Sequence, residues 1–315
     1  MPLVGVIDPS HKTAADWGRP GVLPPWLTLD RSLELALSDN KWAPWTYELL
    51  HAMYAEHQER DYLSSSALVA ACPRAEVIKR SAEYVGELSD MYIPFRGTML
   101  LLVMEYHADQ ASIAEARFWT TIDGVEVSCS PDLLRVDTLF DYKVTESPPL
   151  YEYPYVHHKE QVEFNAYITR HAERWQLAPG AAAMPFDPRE NPAKHVVLVY
   201  MGPKYVKVLE VQKTDEVFNG KTGKFGKQKV PFVWPDKLVL KVLRPRLHML
   251  ELGLQAYPDW PAPWTDPETK QTHTFESVFG GEEGWLCPGP PICGLPKCLA
   301  RRYPGRLNWD PKGMR

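Results

Sequence analysis

The sequence predicts an α+β protein in which a mixed sheet packs against helices. Three observations lead to this prediction. Hydrophobic segments at 115–121 and 125–130 flank Asp123-Gly124, a dipeptide typical of tight hairpin turns, and a third such segment follows at 138–144. Residues 155–175 then indicate a helix, and two more strand-like segments follow, at 195–201 and 205–211. A meander, a helix and further strands together favour the α+β class.

The composition is that of an ordinary globular protein. The chain has 315 residues, of which 44% are hydrophobic and 24% charged, enough for one large domain or two smaller ones. Thirty prolines and eleven tryptophans indicate a compact fold with long, proline-stiffened connections. The net charge of −5 does not favour a polyanionic partner, so a nucleic-acid binder with this balance must concentrate its lysines locally.

The sequence predicts a cytoplasmic protein with no membrane partner. No apolar run reaches the length needed to span a bilayer, and Met1–Gly5 lacks the basic start and apolar core of a signal peptide. In such a compartment, five cysteines are not expected to form a disulfide framework.

The predicted organisation is a single integrated domain in three parts. Residues 1–63 form an N-terminal extension with a helix at 45–59, residues 64–257 form the core, and residues 258–315 form an irregular tail. Further helices are predicted after the N-cap candidates Ser64, Ser65 and Ser66, at 75–84, at 97–107, and at 236–257, where Pro245 should kink or interrupt the helix.

Two acidic residues and a lysine form the candidate catalytic group. Asp132 and Asp141 lie on consecutive predicted strands, and adjacent strands are roughly 5 Å apart, so both carboxylates can reach one ion. Oxygen ligands suit Mg²⁺ or Mn²⁺, which lower the pKa of a bound water. Lys143 follows Asp141 by two residues and therefore shares its face of the strand, where it can position water or stabilise a charged transition state.

The alternative is that these are exposed charges at strand ends, with Lys143 merely paired to an aspartate. The apolar flanks Leu133-Leu134 and Leu139-Phe140 place the charges next to a core instead. The residue types, their order and their strand context therefore favour a site.

This arrangement resembles the PD-(D/E)XK nuclease superfamily, whose signature is matched by Pro131-Asp132 and Asp141-Tyr142-Lys143. Ser66-Ala67-Leu68 leading into Cys72-Pro73-Arg74 resembles the N-terminal signature of the RecB-like iron–sulfur branch of that superfamily. That branch includes AddB-type nuclease domains and the fourth CRISPR-associated protein. A glycine-led helix follows in the family, as Arg96-Gly97-Thr98 does here.

The resemblance covers roughly residues 64–170 and the cysteine tail. It implies a restriction-endonuclease-like core and a metal-dependent DNA exonuclease acting on single-stranded ends, of a kind found in prokaryotes and phages. Recombination, repair and CRISPR adaptation are the implied settings, with a helicase, a recombinase or a CRISPR-adaptation protein as partner. The chain has no Gly-x4-Gly-Lys-Ser/Thr motif, so a helicase activity would come from another chain.

Two family motifs are matched imperfectly. Leu101 stands where the family places a metal-binding histidine, and His107, Glu105 or the strand-start Glu115 are the possible substitutes. The later Gln-x-x-x-Tyr motif fits only if one residue type is exchanged; Gln161 and Tyr167 are then expected to contact DNA or metal-bound water. A helix-end histidine, a solvated Glu115 and a core Tyr167 remain the structural alternatives.

The resemblance groups four cysteines. Cys287, Cys293 and Cys298 cluster on a Pro/Gly-rich segment that cannot build a core of its own, and the family places Cys72 with them. Four thiolates suit a structural [4Fe–4S] cluster, with Zn²⁺ as the alternative. Cys129, in the strand before Asp132, is interpreted as a buried structural thiol.

A lysine-rich segment at 219–229 is interpreted as a DNA-binding loop or, equally, as a solvated hairpin tip. In the first case lysines would contact phosphates and an aromatic ring would stack on a base. The residues concerned are Lys221, Lys224, Phe225, Lys227 and Lys229.

Two hypotheses from other classes compete with the nuclease. The departure at Leu101 motivates a catalytically weak nuclease fold that acts as a DNA-binding or assembly module. The second is a zinc-stabilised interaction protein in which the acidic pair is incidental.

Overall fold

A computed structural model describes the chain over seven longer ranges and several short pieces. The longer ranges are 63–70, 111–145, 154–177, 183–202, 204–219, 224–257 and 262–274, and the short pieces lie at 3–7, 76–77, 80–81, 84–87, 149 and 278. Outside the described residues lie the predicted helices at 45–59 and 97–107, together with Cys72, Leu101, Glu105, His107, Lys221, Cys287, Cys293 and Cys298.

The chain divides into two compact units. One combines residues 1–61, 70–96 and 245–315, and the other combines residues 62–69 and 97–244. The three-part organisation expected from the sequence stays a prediction.

The first unit contains two small sheets among its described residues. Strand β1 (Leu3–Ile7) pairs in parallel with β3 (Tyr84–Glu87). Strands β14 (Trp264–Thr265) and β15 (Thr272–His273) form an antiparallel pair. The sequence predicts that Tyr84 ends a helix, but Tyr84 begins β3, because the aromatic and β-branched pair Tyr84-Val85 favours extended backbone.

A five-stranded mixed sheet forms one layer of the second unit. Its strands are β4 (Ile113–Ala114), β7 (Leu133–Arg135), β8 (Thr138–Val144), β10 (His195–Gly202) and β11 (Tyr205–Glu210). The spatial order is β11-β10-β8-β7-β4, with β8 and β10 parallel and the other pairs antiparallel. The mixed sheet and its helices confirm the α+β class.

A four-stranded sheet forms a second layer. Its order is β2 (Leu63–Ser64), β6 (Val125–Cys129), β5 (Arg117–Ile122) and β9 (Arg174–Gln176). Asp123-Gly124 joins β5 to β6, and both residues have positive φ, 51° and 83°, as a mirror-image hairpin turn requires. The predicted hairpin is therefore confirmed.

Three helices have defined bounds in the described parts of the chain. Helix α1 (Ser65–Leu68) begins after Ser64, whose hydroxyl accepts a hydrogen bond from the Ala67 N–H at 3.3 Å, which confirms an N-cap in the predicted serine run. Helix α2 (Val156–Arg170) ends five residues earlier than predicted, because Trp175 lies in β9. Helix α3 (Asp236–Ala256) continues through Pro245 without the expected interruption.

Helix α2 connects the parallel strands β8 and β10 and forms part of the core. Its side chains Val162, Phe164 and Ile168 are fully buried. The helix contacts β5 and β6 of one sheet and β8 and β10 of the other, so it packs against both sheets.

The structure corrects two predicted elements. Asp132 does not lie on a strand as expected: β6 ends at Cys129, and Asp132 lies in a bend before β7, which belongs to the other sheet. The segment at 219–229 is not a loop throughout, because β12 (Gln212–Asn219) and β13 (Lys224–Pro231) form an antiparallel hairpin. In both places strand pairing, which the local sequence does not show, decides the structure.

No helix in the described parts of the chain has both the length and the apolar character needed to cross a membrane.

Candidate functional site

Asp132 lies at the corner where the chain passes from the four-stranded to the five-stranded sheet. Its carboxylate accepts a hydrogen bond from the Tyr142 backbone N–H, and its carbonyl accepts one from the Glu115 N–H at 3.3 Å. The first bond holds the Asp132 side chain against β8, beside Asp141. Asp132 and Asp141 are near enough for their charges to interact, and a bend, not the expected strand, carries Asp132.

Asp141 and Lys143 share the face of β8 that α2 covers. Asp141 is 1% exposed, and Lys143 Nζ lies 2.7 Å from Asp141 Oδ2. This contact is an ion pair without hydrogen-bond alignment, since no donor among the described residues meets hydrogen-bond geometry at that oxygen. The same ammonium donates a hydrogen bond to Gln161 Oε1 on α2 at 2.9 Å. Lys143 therefore joins the acidic strand to the helix.

Glu115 adds negative charge near the same corner. Its backbone has φ of +49°, an uncommon value for a residue other than glycine, and the Ser130 hydroxyl lies 3.3 Å from its carbonyl and 3.4 Å from its carboxylate. Burial raises the pKa of Asp132 well above its usual range, and the charges of Asp141 and Glu115 raise it further, against the opposing charge of Lys143. Three carboxyl groups thus interact in one place.

The carboxyl groups at this corner fit a divalent cation. Asp132 and Asp141 supply oxygen donors, and a cation would offset the repulsion that raises the pKa of Asp132. Across the described ranges, no three His, Cys, Asp or Glu side chains are arranged as a ready-made metal site. Mg²⁺ does not need such a set, because it commonly binds through one or two carboxylates and keeps several waters.

The two residues predicted on α2 do not lie together. Gln161 faces Lys143, whereas the Tyr167 ring lies 4.5 Å from the ring of His171. Burial and the charge of Asp236 raise the pKa of Tyr167. Gln161 therefore lies beside Lys143 and Asp141, and Tyr167 lies on another side of the helix. The expected contact of Tyr167 with DNA or metal-bound water stays a prediction.

Sequence reasoning did not find Tyr200, which lies on β10 beside Lys143. Its hydroxyl lies 3.1 Å from the Tyr155 N–H, which donates to it, and 3.2 Å from His158 Nδ1. Burial raises the pKa of Tyr200, and the nearby charge of Asp141 raises it further. The sequence of β10 is nearly continuously apolar and shows no alternation, so the face on which Tyr200 lies is seen only in the structure.

From the sequence, His157-His158-Lys159 are interpreted as phosphate contacts or, equally, as a solvated helix start. Burial, the charge of Lys143 and the neighbouring His157 lower the pKa of His158 to about 2. The imidazole is therefore neutral at ordinary pH and supplies no positive charge to a phosphate.

A buried polar group lies deeper along α2. Asn165 Oδ1 accepts a hydrogen bond from the Ser65 hydroxyl at 2.6 Å, which links α2 to α1. The Cys129 thiol lies 3.8 Å from the Asn165 carbonyl, is buried, and has a pKa raised by burial. The interpretation of Cys129 as a buried structural thiol is confirmed.

Glu163 is the other buried carboxyl group of α2. It is fully buried, and its Oε2 accepts a hydrogen bond from the Trp234 N–H at 2.8 Å. Burial raises the pKa of Glu163 to about 7, against the lowering effects of that hydrogen bond and of the charges of Lys159 and Arg170. Glu163 therefore ties α2 to the segment that precedes α3.

The lysine-rich segment forms part of the β12–β13 hairpin. Lys227 and Lys229 are exposed, and both lie at alternate positions of β13, so they share one face. Lys227 is opposite Glu216 in the register. Lys224 and Phe225 begin the same strand. The structure places four of the five predicted residues on one strand and leaves their DNA contacts as a prediction.

No protein-family model matches this chain, and no curated protein sequence matches it. A solved structure described as "Crystal structure of SSO0001" is similar to it with a TM-score of 0.41 and 16% sequence identity. The match covers 65% of this chain and 86% of that one.

Proposed function

We propose that the protein is a metal-dependent deoxyribonuclease with a PD-(D/E)XK core, an exonuclease that acts on single-stranded DNA ends. One observation carries the proposal: Lys143 is held between Asp141, at 2.7 Å, and Gln161, at 2.9 Å, beside the carboxyl group of Asp132. An acid pair that can hold a divalent cation, with a lysine beside it, is a residue set suited to phosphodiester hydrolysis.

The order of the elements supports the proposal. The acidic residues come from the meander that ends in β8, and α2 follows and brings Gln161 back to Lys143. A glutamine-bearing helix after the acidic strands is what the superfamily resemblance implies.

In this proposal Asp132 and Asp141 would hold Mg²⁺ or Mn²⁺, which would supply a water of lowered pKa and offset charge on a phosphoryl oxygen. Lys143 has three N–H donors, of which one is hydrogen-bonded to Gln161, while the ammonium also pairs in charge with Asp141. In this proposal another donor is directed to the attacking water or a phosphate oxygen.

The cysteines belong to the proposal through the resemblance alone. Cys72, Cys287, Cys293 and Cys298 would hold a structural [4Fe–4S] cluster, or Zn²⁺, that ties the tail to the N-terminal helices. The expected partners, a helicase, a recombinase or a CRISPR-adaptation protein, are proposed on the same ground.

Nuclease assays on end-labelled single-stranded DNA with Mn²⁺ test the proposal. The wild type should release nucleotides, and Asp141→Asn and Lys143→Ala should each lower the rate by roughly 100-fold or more, because each removes a charge at the reacting phosphate. Asp137→Asn is the matched control: Asp137 is an exposed acid on the same β7–β8 hairpin, and this variant should cleave like the wild type.

Each of the other possible outcomes would support a different site or a different function for this protein. Full activity in Asp141→Asn would place the catalytic site elsewhere. DNA binding without cleavage by the wild type would identify a binding module, and absence of both would favour an interaction protein.

A further inference from the structure

We propose that Tyr200 and His158 form a positioning pair that holds Gln161, and through it the ammonium of Lys143, in place beside Asp141. The kinetic part of this inference rests on the proposed nuclease function. The structural part, how the pair orients Gln161, does not.

The strand register brings Tyr200 to the site. In the parallel pairing of β8 with β10, Tyr200 is opposite Lys143 and Leu198 is opposite Asp141. These four residues therefore lie on one face of the sheet, the face covered by α2. Tyr200 is fully buried, so protein groups must satisfy its hydroxyl.

The hydrogen bonds of Tyr200 favour one tautomer of His158. The Tyr155 N–H donates to the Tyr200 hydroxyl, and His158 Nδ1, at 3.2 Å, is an acceptor for the proton of that hydroxyl. With Nδ1 accepting, His158 is the neutral tautomer with its proton on Nε2. Partial burial and the nearby charge of Lys143 favour the same neutral form.

The same hydroxyl anchors the start of α2. Tyr155 is the N-cap residue of α2, and its side chain makes no capping hydrogen bond. Tyr200 instead accepts from the Tyr155 backbone and donates to His158 within the first turn. A β10 side chain thus holds this helix end at two points.

Gln161 is positioned by this anchor. His158 and Gln161 are three residues apart, so they are neighbours on one face of α2. Fixing the rotation of α2 at His158 fixes the direction of Gln161, whose Oε1 accepts from Lys143 at 2.9 Å. Without the Tyr200 hydroxyl the first turn can rotate, and the ammonium loses its helix-side partner.

Tyr200→Phe removes the hydroxyl alone and is the direct test. It should lower kcat by roughly 10-fold and leave KM for DNA within about twofold, because positioning acts on the reacting geometry more than on binding. Tyr205→Phe is the matched control on β11: its hydroxyl donates to the Thr145 carbonyl at 2.9 Å, and its kcat should stay at the wild-type value.

Substitutions of His158 separate positioning from general packing. His158→Asn retains an acceptor near the position of Nδ1 and should keep most of the wild-type kcat, whereas His158→Leu should lose about as much as Tyr200→Phe. Equal losses in both histidine variants would overturn the proposed hydrogen bond.

An NMR readout does not depend on nuclease activity. Imidazole ¹⁵N spectra at about pH 6 should show His158 neutral with Nδ1 unprotonated. The side-chain amide signals of Gln161 should shift in Tyr200→Phe and not in Tyr205→Phe. A doubly protonated His158, or an unmoved Gln161 signal, would overturn the inference. An inactive wild type with the expected spectra would overturn the nuclease proposal and leave the orientation of Gln161 by the pair supported.

Discussion

Asp141 and Glu163 are two buried carboxyl groups of the second unit, and the protein stabilises them in different ways. An ionised carboxylate is unfavourable away from water unless a cation or several donors accompany it. Asp141 is accompanied by the ammonium of Lys143. Glu163 has the Trp234 N–H at one oxygen, and its pKa rises to about 7, so it binds a proton over much of the ordinary pH range.

Glu163 therefore makes the stability of the protein depend on pH. Its folded-state pKa lies above the unfolded value, so the folded protein binds the proton more tightly, and stability falls as pH rises from about 4.5 towards 7. Glu163→Gln keeps an acceptor for Trp234 and cannot ionise. It should raise the free energy of unfolding at about pH 8 by roughly 2 kcal/mol and by little at about pH 4.

Urea unfolding at the two pH values measures this difference. Glu190→Gln, at an exposed glutamate, is the control and should change stability equally little at both. A Glu163→Gln effect that is the same at both pH values would show that the carboxyl group does not titrate between them.

At the scale of elements, the β5–β6 hairpin depends on its turn. Gly124 has φ of +83°, a conformation that side chains with a Cβ adopt only with strain. A Cβ at Gly124 would meet no atom within 4 Å, so backbone strain alone, not crowding, opposes a substitution there.

Gly124→Ala should therefore lower the free energy of unfolding by about 1 kcal/mol. Gly226 in β13 provides a matched comparison, because a Cβ there also meets nothing within 4 Å and its φ is not positive. Gly226→Ala should be neutral or slightly stabilising. Chemical denaturation of both variants measures the difference, and equal effects would contradict a role for the positive φ.

At the scale of the whole molecule, the net charge of −5 opposes association with DNA. A DNA-binding protein with this charge needs a local basic surface, and the exposed lysines of the β12–β13 hairpin can provide one. Lys227 and Lys229 share a face of β13, although Glu216 is opposite Lys227.

Replacing Lys227 and Lys229 by alanine should weaken binding to single-stranded DNA about tenfold at low salt. It should also reduce the slope of log affinity against log salt concentration by about 1.4, the value for two lost phosphate contacts. Lys237 and Lys241, exposed on α3, allow a control double alanine variant with the same change in net charge. Fluorescence anisotropy across a salt series measures both, and equal weakening would mean that net charge, not the hairpin, governs binding.

The sequence predicted those elements that depend on the pattern of a few neighbouring residues. Residues 138–144 form β8 with the expected bounds, and Asp123-Gly124 forms the expected turn. Hydrophobic alternation and turn residues are properties of a few neighbouring positions, so they are readable without the rest of the chain. The end of α2 and the strand at Trp175 were missed, because pairing with β5 decides them.

By itself, the sequence determined the α+β class, the hairpin turn and the grouping of Asp132, Asp141 and Lys143. Residues two apart on a strand, or joined by a short turn, are neighbours in almost any fold. The tertiary structure alone decided that Gln161 meets Lys143 while Tyr167 does not, and that Tyr200 lies beside them. Those contacts depend on the rotation of α2 and on the register of β10, which are set by packing over long sequence separations.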